Sequence, residues 1–150
     1  MKCCEPVFES LKGWGDHPVC IELGPDGSAA SLSAPDFLQR INDVKAMLVK
    51  EGIGEHDIVS VFLENSSDYA AVFLALIDMG AKPVPVNLAF RKIELDEIFS
   101  NAEPCAIITE AGHSTVVQPY AQGRIVIERQ GGKWLCRRPG GTKKKGVAGD

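Results

Sequence analysis

Polar residues that could bind a ligand follow two predicted strands of this chain. The segment Glu64-Asn65-Ser66-Ser67 comes directly after the apolar run Ile58–Leu63, and Asn87 follows the shorter run Lys82–Val86. Ligands of parallel sheets bind beyond the carboxyl ends of the strands, so these residues mark the expected binding edge. Their types also suit helix capping and turns, and this simpler role is the one that we favour.

Arg91 is the candidate for contact with a phosphate group. It follows the second of these strands in sequence, and a guanidinium group beside a strand end can bind a phosphate in a bidentate manner. The alternative that we favour is a salt bridge at the surface with Glu94 or Asp96.

No catalytic residue and no metal site are predicted. The histidines His17, His56 and His113 are far apart in sequence, and Ser66 and Ser67 lack the glycine pattern of a nucleophile elbow. The chain has five cysteines, an odd number without Cys-x-x-Cys spacing. We therefore expect reduced thiols rather than a zinc site or a disulfide framework.

The last segment, residues 138–150, is rich in glycine and lysine and contains an incomplete match to a phosphate-binding loop. Gly141 and Gly146 have the separation of a Walker loop, but Val147 and Ala148 stand where lysine and serine or threonine are required. We predict a flexible, solvated tail that follows a domain formed by residues 1–137.

The elements that must position these residues form a βαβ unit. Ile58–Leu63 is apolar and β-branched, which is typical of a strand buried on both faces, and Tyr69–Met79 is apolar almost all round, which predicts a buried helix. Gly80 ends this helix, and Lys82–Val86 returns as a parallel strand. The pattern predicts an α/β fold with a mostly parallel sheet and flanking helices.

Further elements are predicted on both sides of this unit. Upstream, the helix that Ser33 opens carries an apolar face of Phe37, Ile41, Val44 and Leu48. The other predicted strands are Val19–Leu23 and Ser28–Leu32, which form a hairpin, and then Cys105–Thr109, Arg124–Glu128 and Lys133–Arg137. The other predicted helices are Val7–Leu11, Lys92–Asn101 and His113–Tyr120.

Composition excludes some classes of function. A formal net charge of −4 and a hydrophobic content of 45% are typical of a soluble globular protein and give no reason to expect a nucleic acid partner. No apolar run approaches the ~20 residues that a transmembrane helix needs. The N-terminus lacks the apolar core of a signal peptide, so we expect a cytoplasmic protein.

The order of several motifs resembles the early part of an acyl-adenylating enzyme, the superfamily of acyl-CoA synthetases, peptide-synthetase adenylation domains and luciferases. The similar motifs lie between Val19 and Thr109 and are Leu32–Leu38, Asp57–Val59, Asn65-Ser66, Leu74–Leu76, Gly80–Asn87 and Arg91 with Glu94-Leu95. The resemblance implies the N-terminal subdomain of the adenylating-enzyme fold. It also implies a reaction in which a carboxylate and ATP form an acyl-adenylate and then a thioester, with magnesium and CoA required, and makes Arg91 a candidate CoA contact.

The chain also departs from the pattern that it resembles. His56 stands where the family usually has glycine, and Ala34 where an aromatic residue is usual. The family's phosphate loop and catalytic lysine are not recognisable, and full-length relatives are several times longer. We therefore expect a fragment that is inactive alone, binds no cofactor, and partners the remainder of the enzyme or a copy of itself.

Two other functions are compatible with the pattern. The chain could be a truncated, non-catalytic binding or assembly module of the same fold. A flavodoxin-like nucleotide-binding domain shares the βαβ pattern, but no glycine-rich turn follows Ile58–Leu63.

Overall fold

The computed structural model describes residues 4–140, which form a five-stranded sheet between helices and a separate two-stranded hairpin. The strands are β1 (Pro18–Leu23), β2 (Ala29–Ser33), β3 (Ile58–Phe62), β4 (Lys82–Pro85), β5 (Ala106–Glu110), β6 (Ile125–Gln130) and β7 (Lys133–Arg137). The helices are α1 (Glu5–Gly13), α2 (Ala34–Lys50), α3 (Ser67–Asp78), α4 (Lys92–Ala102) and α5 (Ser114–Val117). Within residues 4–140, no helix has the length and apolar character needed to cross a membrane.

The sheet has the strand order β4-β3-β5-β6-β7. All neighbouring strands are parallel except β6 and β7, which are antiparallel, and the hairpin of β1 and β2 stands apart from the sheet. This arrangement confirms the predicted α/β fold with a mostly parallel sheet. From β3 the chain crosses to β4 at one edge of the sheet, whereas from β5 it crosses to β6 on the other side. The boundary between β3 and β5 is therefore a topological switch point.

Apolar clusters cover both faces of the sheet. The larger cluster packs α2 and α3 against alternate residues of the strands, among them Val61, Ile108 and Ile127. The smaller cluster packs α4 and α5 against Phe62 and Ile107 on the other face. Because both faces are covered, the central strands are mostly apolar on both faces rather than alternating, with Ser60, Thr109 and Glu128 as buried polar exceptions.

Helix α2 follows its sequence signals closely. Ser33 Oγ accepts a hydrogen bond from the Asp36 N–H at 3.3 Å, which caps the helix as predicted. The predicted apolar face of α2 is buried in the larger cluster. The chain then reverses at Gly52, whose φ of 82° lies in the left-handed region that glycine adopts without strain.

The segment from Cys105 to Tyr120 differs from prediction. Strand β5 begins at Ala106 and not at Cys105. The predicted helix His113–Tyr120 is divided: His113 ends a 3₁₀ turn, α5 covers only four residues, and a second 3₁₀ turn contains Pro119. Proline has no amide hydrogen with which to continue an α-helix. Most of the predicted tail, from residue 141 onwards, lies outside the described residues.

Candidate functional site at the carboxyl edge of the sheet

A cleft of about 710 Å³ opens where β3 and β4 end. Its lining contains Glu64, Asn65 and Asn87, which the sequence had assigned to the binding edge. The other lining residues are mostly apolar: Leu63, Tyr69, Pro85, Val86, Leu88 and Phe90. The cleft is therefore a depression of mixed polarity whose lining includes two side-chain amides and one carboxylate.

The capping role that we favoured for Ser66 is confirmed. Its Oγ accepts a hydrogen bond from the Tyr69 N–H at 3.1 Å, which satisfies one of the unpaired amides of the first turn of α3. The N–H of Ser67 donates to the carboxylate of Glu22 on β1. Hydrogen bonding from the Ser67 side chain, and then from this N–H, lowers the pKa of Glu22. The start of α3 thus ties the hairpin to the sheet.

Asp68 holds three elements together at this edge. Its carboxylate lies 2.9 Å from Arg129 Nε on β6 and 3.6 Å from an Arg40 nitrogen on α2. Arg129 also lies over the ring of Trp134, with its guanidinium carbon 4.9 Å from the ring centroid. The carboxylate sits in the first turn of α3, where the helix dipole favours negative charge.

A second group of side chains meets at the switch point. Glu110, which ends β5, accepts a hydrogen bond from the Glu64 N–H at 2.5 Å, and His113 Nε2 lies 3.2 Å from a Glu64 carboxylate oxygen. One ligand atom from each of the three residues lies within 4.8 Å of the other two. The His113 ring packs edge-on against Phe62, with 5.5 Å between ring centroids.

Sequence reasoning missed Glu110 and His113 as partners of Glu64. The available signal was their position directly after the third parallel strand, since the carboxyl ends of parallel strands meet at one edge of a sheet. His17 and His56 lie elsewhere: His17 is in edge contact with Trp14, and His56 is an exposed residue beside Glu55.

Arg91 stands immediately before α4, is exposed, and follows Phe90 of the cleft in sequence. The salt bridge that we expected with Glu94 or Asp96 is absent from the described residues, because both carboxylates have other partners. Glu94 accepts a hydrogen bond from the backbone N–H of Arg91 at 2.9 Å, and Asp96 pairs with Lys92 at 2.5 Å, one helical turn away. The guanidinium group therefore has no ion pair within residues 4–140.

The lining of this cleft does not match the needs of a nucleoside triphosphate. Polyphosphates are bound by lysine, arginine and unpaired backbone N–H groups. None of the residues that line the cleft is lysine or arginine, and Glu64 makes the cleft negative. The first amides of α3 already donate to Glu22 and Ser66.

Comparison with known proteins gives one family. Residues 7–137 match the family model described as AMP-binding enzyme. The 4-chlorobenzoate–CoA ligase of an Arthrobacter species is 28% identical over 120 residues, which are 79% of this chain and 21% of the ligase.

Solved structures share the fold. An acyl-CoA synthetase of Brucella canis superposes with a TM-score of 0.72 and 18% identity, over 83% of this chain and 23% of that one. ATP-bound MatB of Rhodopseudomonas palustris gives a TM-score of 0.63 and 24% identity, over 81% of this chain and 24% of that one. The chain thus spans about a fifth to a quarter of the length of these proteins.

Proposed function

The chain belongs to the AMP-binding enzyme family, and from this premise we propose that it is the N-terminal part of an ATP-dependent ligase that activates a carboxylic acid as an acyl-adenylate and transfers it to a thiol. The observation that carries the proposal is the family match over residues 7–137, which includes every strand of the sheet. The fold of known acyl-CoA synthetases over more than four-fifths of the chain supports it. We place the protein in the cytoplasm.

We propose further that residues 1–150 alone do not catalyse this reaction. A developing charge on phosphate needs preorganised cations and N–H donors, and the described cleft offers a carboxylate and two neutral amides. Magnesium would bind together with ATP, and the cleft lacks the cationic side chains that ATP phosphates need. The remainder of the enzyme is the partner that would supply the missing groups.

The test is carboxylate-dependent exchange of pyrophosphate into ATP, measured with the protein isolated from its native source after its intact mass is determined. We expect a mass several times that of these residues and exchange that depends on an added carboxylate. A mass equal to that of residues 1–150, with no exchange for any carboxylate, would overturn the ligase proposal in favour of the non-catalytic module.

Arg91 is our proposal for a contact with the phosphates of CoA. Its guanidinium group is exposed and has no ion pair within the described chain, so it keeps its full capacity for bidentate bonds to phosphate. In the full-length enzyme, Arg91→Gln should raise the KM for CoA about tenfold with little change in the exchange reaction, which does not use CoA.

Lys92→Gln is the matched control for Arg91. It removes a neighbouring positive charge that Asp96 already engages, and it should leave the KM for CoA within about twofold. Equal effects of the two substitutions would show that only the local charge matters, and no effect of Arg91→Gln would remove Arg91 from the site.

The non-catalytic alternative has one observation in its favour. The hairpin exposes two large apolar side chains, Ile21 at 65% and Leu23 at 77% of their surface. Such exposure is typical of a surface that another part of a protein covers. If this chain is the assembly module, sedimentation should show association that Ile21→Ser and Leu23→Ser together abolish. A monomer at every concentration would contradict this alternative.

A further inference from the structure

We propose that Glu64, Glu110 and His113 form a binding site for one divalent transition-metal ion, with Zn²⁺ as the best match. The three residues meet at the switch point between β3 and β5. This proposal replaces the expectation that the chain has no metal site, which rested on the lack of Cys-x-x-Cys and paired histidine motifs.

The distances suit ligands of a single ion. Two ligand atoms that each lie about 2.1 Å from a tetrahedral Zn²⁺ are about 3.4 Å apart. The distance between His113 Nε2 and Glu64 Oε1 is 3.2 Å. One ligand atom from each of the three residues lies within 4.8 Å of the other two, so rotation of the Glu110 side chain would complete three-fold coordination.

Within residues 4–140, the carboxylates at the switch point have no lysine or arginine as a counterion. Glu64 and Glu110 are adjacent carboxylates, and within residues 4–140 neither forms a salt bridge with a lysine or an arginine. The basic side chain beside them is the imidazole of His113, whose Nε2 lies 3.2 Å from a carboxylate oxygen of Glu64. A divalent cation would remove the repulsion between the two carboxylates.

His113 is already held in position for coordination. Its side chain is only 22% exposed, and its ring lies edge-on against Phe62. Because the ring is fixed before any ion binds, coordination costs little side-chain entropy.

An unsatisfied hydroxyl group lies on the face of the sheet against which the His113 ring packs. Thr109 is fully buried, and within the described chain its Oγ1 is the buried side-chain atom that has no hydrogen-bond partner. Thr109 pairs in register with Phe62, so its side chain lies on the face of the sheet that carries the His113 ring. Buried polar groups are rarely left unpaired, and a water molecule bound to the ion would provide a partner.

The ligand types select the ion. Imidazole nitrogen with carboxylate oxygen suits Zn²⁺ and its first-row neighbours, whereas Mg²⁺ and Ca²⁺ take oxygen ligands. Three protein ligands leave one coordination position open. Glu64 also lines the cleft, so the ion would bring positive charge to its wall and could hold a carboxylate or phosphate oxygen there.

The test is titration of the chain with Zn²⁺ by isothermal calorimetry, with three variants compared. We expect one site in the original protein and a loss of affinity of at least about tenfold in both His113→Gln and Glu110→Gln. His56→Gln is the matched control, because His56 lies 3.8 Å from one glutamate but has no third ligand, and it should bind as the original does.

Two further measurements keep the outcome decisive. Circular dichroism establishes that each variant is folded. If His113→Gln does not fold, Glu110→Gln carries the test, because its amide oxygen can still accept the hydrogen bond from the Glu64 N–H. Titration with Co²⁺ distinguishes the ligands, since thiolates give an intense charge-transfer absorption. Equal Zn²⁺ affinity in all four proteins, a thiolate spectrum, or no binding at millimolar Zn²⁺ would overturn the proposal.

Discussion

The body of the sheet and its carboxyl edge obey different physical rules. In the body, β3, β5 and β6 carry apolar residues that are almost wholly buried, and their backbone groups are paired along the strands. At the carboxyl edge, two carboxylates and a histidine lie within a few ångströms of one another and are partly exposed, and two side-chain amides line the neighbouring cleft. Stability therefore resides in the body, and any chemistry must come from the edge.

This difference explains how residues 4–140 can have the family's fold without a recognisable phosphate site at the described edge. The body needs only apolar residues of suitable size and shape on both faces of its central strands. A phosphate site needs particular donors at one place, and the described edge uses its available amides for Glu22 and Ser66. Fold and chemistry are therefore separable in this protein.

The largest effect is expected for a cavity in the body. Leu76 is fully buried in the larger cluster, and Leu76→Ala should lower the free energy of unfolding by about 2–5 kcal/mol, measured by urea denaturation. Ile93→Ala is the control, because Ile93 is 81% exposed on α4 and should cost less than about 0.5 kcal/mol. Similar losses for both would mean that the body does not dominate stability.

An intermediate effect is expected for the ion pairs of Asp68. Asp68→Asn leaves two half-buried guanidinium groups, of Arg40 and Arg129, without their carboxylate, and should cost about 1–3 kcal/mol in urea denaturation. Glu9→Gln breaks the exposed pair with Lys12 and should cost less than about 1 kcal/mol. If Asp68→Asn costs no more free energy of unfolding than this control, the ion pairs of Asp68 with Arg40 and Arg129 contribute no more than an exposed pair.

A smaller effect is expected at alkaline pH, at the other end of the sheet. Burial, together with a hydrogen bond to Glu51, raises the pKa of the Cys136 thiol from 9.0 to about 12. As the pH rises above about 9, the thiol ionises in the unfolded chain first, so the free energy of unfolding should fall between about pH 9 and pH 12. The effect is moderate because the thiol is only half-buried.

Cys136→Ser isolates this contribution. Serine does not titrate in this range, and so the variant should lose less stability than the original protein between about pH 8 and about pH 10.5, compared by urea midpoints. The raised pKa of Tyr120 acts in the same direction in both proteins and cancels in the comparison. Parallel pH profiles would exclude Cys136 as a source of the alkaline loss.

The body could be read from the sequence because its signals are local. The spacing of Phe37, Ile41, Val44 and Leu48 identified the buried face of α2, and Ser33 identified its start. The edge was only half predicted. Glu64 and Asn87 were placed correctly, but the contact of Glu64 with His113 joins residues 49 positions apart and depends on the pairing of β3 with β5.

Arg91 shows a different limit of sequence reasoning. Lys92 and Arg91 compete for the same carboxylates, and helical spacing gives Asp96 to Lys92. Charge and proximity in sequence predicted a salt bridge for Arg91, whereas the one-residue difference in position along the helix decided the outcome. The role of Arg91 in binding phosphate stays a prediction.

The most direct test of the separation between fold and chemistry is the melting temperature of residues 1–150 with and without millimolar ATP and magnesium. We predict no measurable change, because the described edge has a carboxylate and amides where a triphosphate needs cations. An increase of several degrees would require a ligand concentration well above the dissociation constant. That result would contradict the account by showing that this part of the enzyme binds the nucleotide on its own.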